Sequence, residues 1–355
     1  MENKALVVGA TGITGSNLAE KLVSKGWTTY GIARNPNTAI EGLQPIAANL
    51  LSPEDLSGKL QDIHPTHVFF TTWMRNDSEA ENIRVNSTLV RNLLNALAPK
   101  KSVCHVALVT GLKHYLGPFE AYAKTGTLPE TPVREEHPRL NLDNFYYAQE
   151  DEVFAAALRD GFSWSVHRPH TVIGKAVGNL MNMGSTLAVY ASICKETGRP
   201  FHFPGSLAQW EGISDVTDAE LLAEHLVWAA TTENARNQAY NVANGDVFRW
   251  KWLWKEIANY FGIVSAGFNG STHSLEAELA GDTQLWQEIA AKHQLQEPVL
   301  DRIATAWHTD LDLSRPLEVM TDMSKSRKLG FTGYRETRES FFQLFEKLRS
   351  ENFIP

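Results

Sequence analysis

Residues 4–15 read KALVVGATGITG, and the fold turns on them. KALVV is a short apolar run ending in two valines, the pattern of a strand covered on both faces. Gly9, Gly12 and Gly15 follow at three-residue spacing, and SNLAEKLVSK (residues 16–25) carries helical periodicity. Glycines at such a turn let the backbone bend tightly and approach a pyrophosphate, whose charge rests on the N–H groups of the helix start. The spacing is G-x-x-G-x-x-G rather than G-x-G-x-x-G, and three glycines alone also describe a plain structural turn. A strand before the motif and a helix after it favour dinucleotide binding.

The pattern repeats outward from there. Residues 28–32 (TTYGI), 67–71 (HVFFT), 104–110 (CHVALVT) and 163–167 (SWSVH) read as strands, with helices over 84–97 and 151–160. Strands alternating with helices predict an α/β protein with a doubly wound parallel sheet, the Rossmann arrangement. Residues 1–170 are expected to form this dinucleotide-binding domain. Residues 171–355 are expected to form a smaller, mostly helical substrate lobe, with segments returning to the sheet. It holds an apolar helix near 185–195, an aromatic helix over 250–261 and a charged, less regular tail.

Composition narrows the partners. Of 355 residues, 21% are charged and 43% hydrophobic, and 33 basic against 41 acidic residues leave a net charge of −8. No basic run stands out, so neither nucleic acid nor an anionic membrane surface is an expected partner. No apolar run has membrane-spanning length and no secretory signal is read. The two cysteines, Cys104 and Cys194, make no disulfide framework, and a cytoplasmic setting is expected. A homodimer is compatible with the sequence but not specified by it.

The second strand speaks to the cofactor. An acid at its end would bond a ribose 2′-OH, whereas TTYGIAR ends in Arg34 with no acid beside it, which favours NADP(H) through the 2′-phosphate. Asn49 falls where such folds often place an aspartate near the adenine amino group, and its side-chain oxygen can still accept. His167 and His170 have no carboxylate or cysteine at ligand spacing, so no metal site is read.

Single-domain reductases of this shape carry Tyr-x-x-x-Lys on one helix. None of the nine tyrosines has a lysine four residues later; Tyr146 has Glu150 and Tyr147 has Asp151. Two other segments stand out: TGLKHY (residues 110–115) after a buried strand, which puts Lys113 at the ligand-binding edge of the sheet, and NFYYAQED (residues 144–151) opening a helix. A solvated lysine and packing tyrosines are equally good readings of these residues taken alone.

These blocks carry a resemblance. The chain is similar to the progesterone 5β-reductase/iridoid synthase-like group of atypical short-chain dehydrogenases/reductases, in GATGITG, in TTW (residues 71–73), in TGLKHYLGPFE (110–120) and in NFYY…ED (144–151). The likeness continues through WSVHRP (164–169), MNMGSTLAVYASICK (181–195), SDVTDAELLAEH (214–225), NVANGDVFRWKWLWK (241–255) and DMSKSRKLGF (322–331), nearly the full length. The resemblance implies Lys113 and Tyr146 as the catalytic pair. It puts cofactor contacts on Thr11, Gly12, Ile13, Arg34, Asn49, Leu50, Thr72, Trp73, Val109, Tyr146 and Val172, and on Asn179, Leu180 and Met181. Gly9 and Gly15 complete the phosphate turn. This chain departs from plant members in three places: Asn35 where a second arginine is usual, Asn49 for an aspartate, and His170 for a glycine.

The implied activity is NADPH-dependent 1,4-reduction of a small hydrophobic enone or enal. Tyr147, about 100° further around the helix than Tyr146, is expected to be a bystander. Trp73, Phe119, Met181, Met183, Phe203 and Trp210 suit an apolar pocket, although each also suits a core. The rival readings are a sugar-nucleotide epimerase or dehydratase of the same superfamily, and a non-catalytic NADP-sensing regulator.

Overall fold

Lys4–Val8 forms β1 within a seven-stranded sheet whose pairings are all parallel. The other strands are β2 (Thr28–Ala33), β3 (Leu43–Ala47), β4 (His67–Phe70), β5 (His105–Val109), β6 (Ser163–Pro169) and β7 (Gln238–Val242). Their order across the sheet is β7-β6-β5-β4-β1-β2-β3. The chain runs outward from β1 to β3, then returns to start β4 on the other side of β1. Ligands of doubly wound sheets bind at this reversal, beyond the carboxyl ends of the strands. The computed structural model describes residues 2–36, 40–118, 129–179 and 181–355.

Two units divide the chain. The first comprises Met1–His170, Ala219–Val242 and Thr321–Gly333 and contains the sheet; the second comprises Thr171–Asp218, Ala243–Met320 and Tyr334–Pro355. In the first, α1 (Ile13–Ser24), α2 (Pro53–Lys59), α3 (Glu79–Leu97), α4 (Lys113–Leu116), α5 (Phe145–Asp160) and α6 (Ala219–Thr231) surround the strands. Helix α3 packs on α5, and α1 on α6. Leu89, Leu93 and Val153 meet Val8, Phe70 and Leu108 in one core.

Beside α6 the core is polar and ordered. Ser163 Oγ donates to the Cys104 carbonyl at 3.1 Å, so it must accept from His105 Nδ1 at 2.8 Å. That leaves His105 Nε2 to accept from Ser165 Oγ at 2.9 Å, Ser165 to accept from His167 Nε2 at 2.9 Å, and His167 Nδ1 to accept from His225 Nδ1 at 3.0 Å. The chain closes with every imidazole neutral. Burial pushes His105 and His225 down to about 3, and His167 well below its ordinary value.

The second unit gathers the helices Met183–Thr197, Trp250–Phe261 and Thr337–Ser350 around Tyr190, Phe201, Trp254 and Phe341. Phe201 stacks on Trp254 at 4.1 Å. The tail is more regular than its charge suggests. Thr337–Ser350 buries Phe341, Leu344, Phe345 and Leu348, while residues 321–333 belong to the sheet unit, where Lys325 Nζ donates to the Ala239 carbonyl at 3.0 Å. Among the described residues, no helix is long and apolar enough to cross a membrane.

Candidate active site

The glycine turn after β1 is built as its glycines require. Gly9 has φ +86°, a conformation open to glycine, and its N–H donates to the Ile32 carbonyl at 2.9 Å. Gly15, in the first turn of α1, lies so close to the end of β1 that an added Cβ would stand 2.1 Å from the Gly9 carbonyl oxygen. Gly12 is the N-cap of α1 and no side chain caps it. A 12-residue helix thus starts on an uncapped glycine at the sheet reversal, an arrangement that fits a pyrophosphate. Thr11 is exposed there and Ile13 is buried. Arg34 is exposed just beyond β2. Asn49 is exposed, with its Oδ1 accepting from Leu51 N–H at 3.0 Å, so the acceptor read from the sequence already serves a turn; its own N–H donates to Asp55 at 2.7 Å. The Leu50 carbonyl accepts from Asn92 at 3.0 Å, Thr72 follows β4, and Val109 ends β5.

Lys113 and Tyr146 come together in this unit. Strand β5 delivers Lys113 to the first position of α4, where it is buried. Its Nζ lies 5.3 Å from the ring centre of Trp73 and 5.4 Å from that of Tyr146. Phe145 packs on both Trp73 (5.0 Å) and Tyr146 (4.4 Å). A Cβ built on Gly111 would stand 3.4 Å from the Tyr146 hydroxyl and 3.5 Å from the Pro169 carbonyl, so that hydroxyl lies at the carboxyl ends of β5 and β6.

The Tyr147 hydroxyl is hydrogen-bonded on both sides. It donates to the His114 carbonyl at 2.6 Å and accepts from Leu140 N–H at 3.0 Å, and burial raises its pKa. Asn144, the N-cap of α5, accepts from Tyr146 N–H at 3.0 Å and donates to the Lys113 carbonyl at 2.9 Å. Glu79 accepts from Phe145 N–H at 2.6 Å. Four residues past Tyr146, Glu150 is buried and ion-paired with Arg139 (2.8 Å) and Arg168 (3.4 Å). Arg168 also donates to the Tyr115 hydroxyl at 3.1 Å, and burial pushes that phenol up to about 12. Asn144, Tyr147 and Glu150 were legible only as parts of a motif. An asparagine just before a helix is a capping signal, but nothing local announces the carbonyl that its other arm holds.

The remaining expected residues belong to the second unit or lie outside the described residues. Val172 pairs with Thr217, and Asn179 Oδ1 accepts from Met181 N–H at 2.9 Å. Leu180 and Phe119 lie outside the described residues. Met183 and Phe203 are buried in the core of the second unit, where Phe203 packs on Trp210 and Trp254. Among the described residues, no cluster of three or more His, Cys, Asp or Glu could hold a metal ion.

A family profile described as a PRISE-like Rossmann-fold domain matches residues 51–355. The chain belongs to that family. It is 40% identical to a 3-oxo-Delta(4,5)-steroid 5-beta-reductase of Arabidopsis thaliana and 39% identical to an (S)-8-oxocitronellyl enol synthase of Camptotheca acuminata, each match covering 100% of this chain and 94% of the relative. Among solved structures, the UDP-glucose 4-epimerase of Thermotoga maritima superposes with a TM-score of 0.68 at 13% identity, covering 98% of this chain and 99% of that one. At that identity the likeness speaks for the fold alone.

Proposed function

We propose that this PRISE-family protein is an NADPH-dependent reductase that adds hydride 1,4 to small hydrophobic enones or enals. One observation carries the reading: Lys113 reaches Tyr146 from the end of β5, while the helix position that would hold the usual lysine is the buried, ion-paired Glu150. This arrangement favours a reductase over the epimerase-like alternative, whose chemistry calls for Tyr-x-x-x-Lys. The uncapped glycine turn suits the dinucleotide, and Arg34 suits a 2′-phosphate.

NADPH, when bound, supplies the hydride that ends on the β-carbon of the alkene. Negative charge then collects on the substrate's carbonyl oxygen. The Tyr146 hydroxyl donates to that oxygen, and Lys113, held against both the Tyr146 and Trp73 rings, fixes a positive charge nearby. A donor of this kind is commonly worth ~3 kcal/mol in the transition state. Protonation of the α-carbon needs no dedicated residue, because solvent can supply it. Trp73 and Phe145 give the pair an apolar wall that strengthens its electrostatics.

The free Cys104 and Cys194 suit a reducing, cytoplasmic setting. Mixing the protein with NADPH and 2-cyclohexen-1-one tests the function. NADPH is consumed, and faster than NADH at equal concentration; a protein that binds NADPH tightly and consumes none across an enone panel is a sensor instead.

A further inference from the structure

We propose that Asn144 and Tyr147 are positioning residues that clamp the Lys113–His114 turn to the end of α5 that carries Tyr146. The inference rests on the assignment of Lys113 and Tyr146 as the catalytic pair. Those two residues arrive on different elements, so their spacing has to be set through space. Asn144 sets it with one amide group: Oδ1 accepts from the Tyr146 N–H at 3.0 Å and Nδ2 donates to the Lys113 carbonyl at 2.9 Å. Tyr147 adds a second tie, its hydroxyl donating to the next carbonyl, that of His114, at 2.6 Å. Two successive carbonyls of the lysine's turn are thereby held from one helix end. Both clamping side chains are buried, so water is a poor substitute for either bond.

The chemistry of residue 144 separates clamping from ordinary capping. Serine and aspartate cap helices about as well as asparagine. Aspartate has no donor, and serine carries its donor on the same oxygen that accepts at the cap, so neither presents a second polar atom to the Lys113 carbonyl. At residue 147, phenylalanine would keep the ring against His114 and Arg139 while losing both hydrogen bonds of the hydroxyl.

Asn144→Ser and Tyr147→Phe, each alone and in a Tyr146→Phe background, test the clamp. Four quantities are read: kcat with NADPH and 2-cyclohexen-1-one, the NADPH dissociation constant, thermal melting, and hydrogen–deuterium exchange over residues 111–117. Each single variant should lose about tenfold in kcat, since misplacing reacting groups by a fraction of an ångström is enough for that. NADPH affinity should hold and exchange in the turn should quicken. In the Tyr146→Phe background each change should cost a clearly smaller fraction of kcat than it does alone, because the clamp aligns Lys113 with that hydroxyl. An equal fractional loss in both backgrounds means a merely structural role and overturns the clamp. So does wild-type kcat with unchanged exchange in the single variants. Asn144→Asp, which keeps the cap, replaces Asn144→Ser if the serine variant melts early. If Tyr146→Phe itself keeps wild-type kcat, the catalytic assignment falls and the clamp with it. If Tyr146→Phe loses activity while the clamp variants do not, only the clamp falls.

Discussion

Glu150 and Arg139 form an ion pair at 2.8 Å, with the Glu150 carboxylate buried one helical turn beyond Tyr146. Arg168 approaches the same carboxylate at 3.4 Å. The place where a helical lysine would assist the tyrosine is therefore occupied by a carboxylate whose partners are cations. Glu150→Lys writes Tyr-x-x-x-Lys into the sequence but puts a third cation beside Arg139 and Arg168. Breaking a buried pair in this way costs about 3–5 kcal/mol. A lowered denaturant midpoint and no gain of ketone reduction are the expected results of unfolding and activity assays.

Tyr146 and Lys113 are proposed to act on one oxygen. Tyr146→Phe should lower kcat by at least about tenfold with little change in NADPH affinity, the mark of a donor used chiefly in the transition state. Lys113→Met should also slow turnover. The double variant should lose less than the product of the two single losses. Steady-state kinetics of the four proteins, with NADPH binding measured separately, decide it.

Gly12→Val is informative because the backbone tolerates it. Gly12 has φ −82° and ψ 168°, extended geometry that valine adopts readily. The chain should fold with a near wild-type melting temperature, while the branched side chain blocks the approach of the pyrophosphate. Calorimetric titration should find NADPH binding lost. Wild-type affinity in the folded variant would remove this turn from the cofactor site.

The neutral histidine chain makes the sheet unit sensitive to acid. His105 and His225 titrate near 3 in the folded protein and His167 well below its ordinary value, whereas an unfolded histidine titrates at about 6.5. Below about pH 6.5 the unfolded chain binds protons that the folded one refuses, so their contribution is present above that pH and is lost as pH falls towards 3. Each histidine adds up to about 1.4 kcal/mol per pH unit to the slope. Urea midpoints at pH 7.5, 5.5 and 4.5 should fall steadily, and His225→Phe should flatten the dependence.

Local signals carried the strand–turn–helix start, because the turn itself asks for a positive φ at Gly9 and sets Gly15 against the Gly9 carbonyl. Strand β3 was invisible for a physical reason. It is the sheet's edge, it contains Pro45, and only Leu43 and Ile46 are buried, so it shows no apolar run. Helix α3 starts at Glu79 rather than residue 84 because its first turn buries polar latches, Glu79 and Asn82, in place of apolar periodicity. The pairing of Lys113 with Tyr146 came from a family likeness and not from spacing. The hydrogen bond of Tyr147 is not legible in the sequence, because its partner is a backbone carbonyl on a separate element, which no pattern of side chains reveals.

The most direct test of 1,4-reduction follows the hydride. NADPH carrying deuterium at the transferable C4 position is turned over with 2-cyclohexen-1-one, and the product is examined by mass spectrometry and NMR. Hydride delivery to the alkene yields cyclohexanone with deuterium on the former β-carbon. An allylic alcohol with deuterium on the carbinol carbon would mean carbonyl reduction and overturn the 1,4-reductase reading.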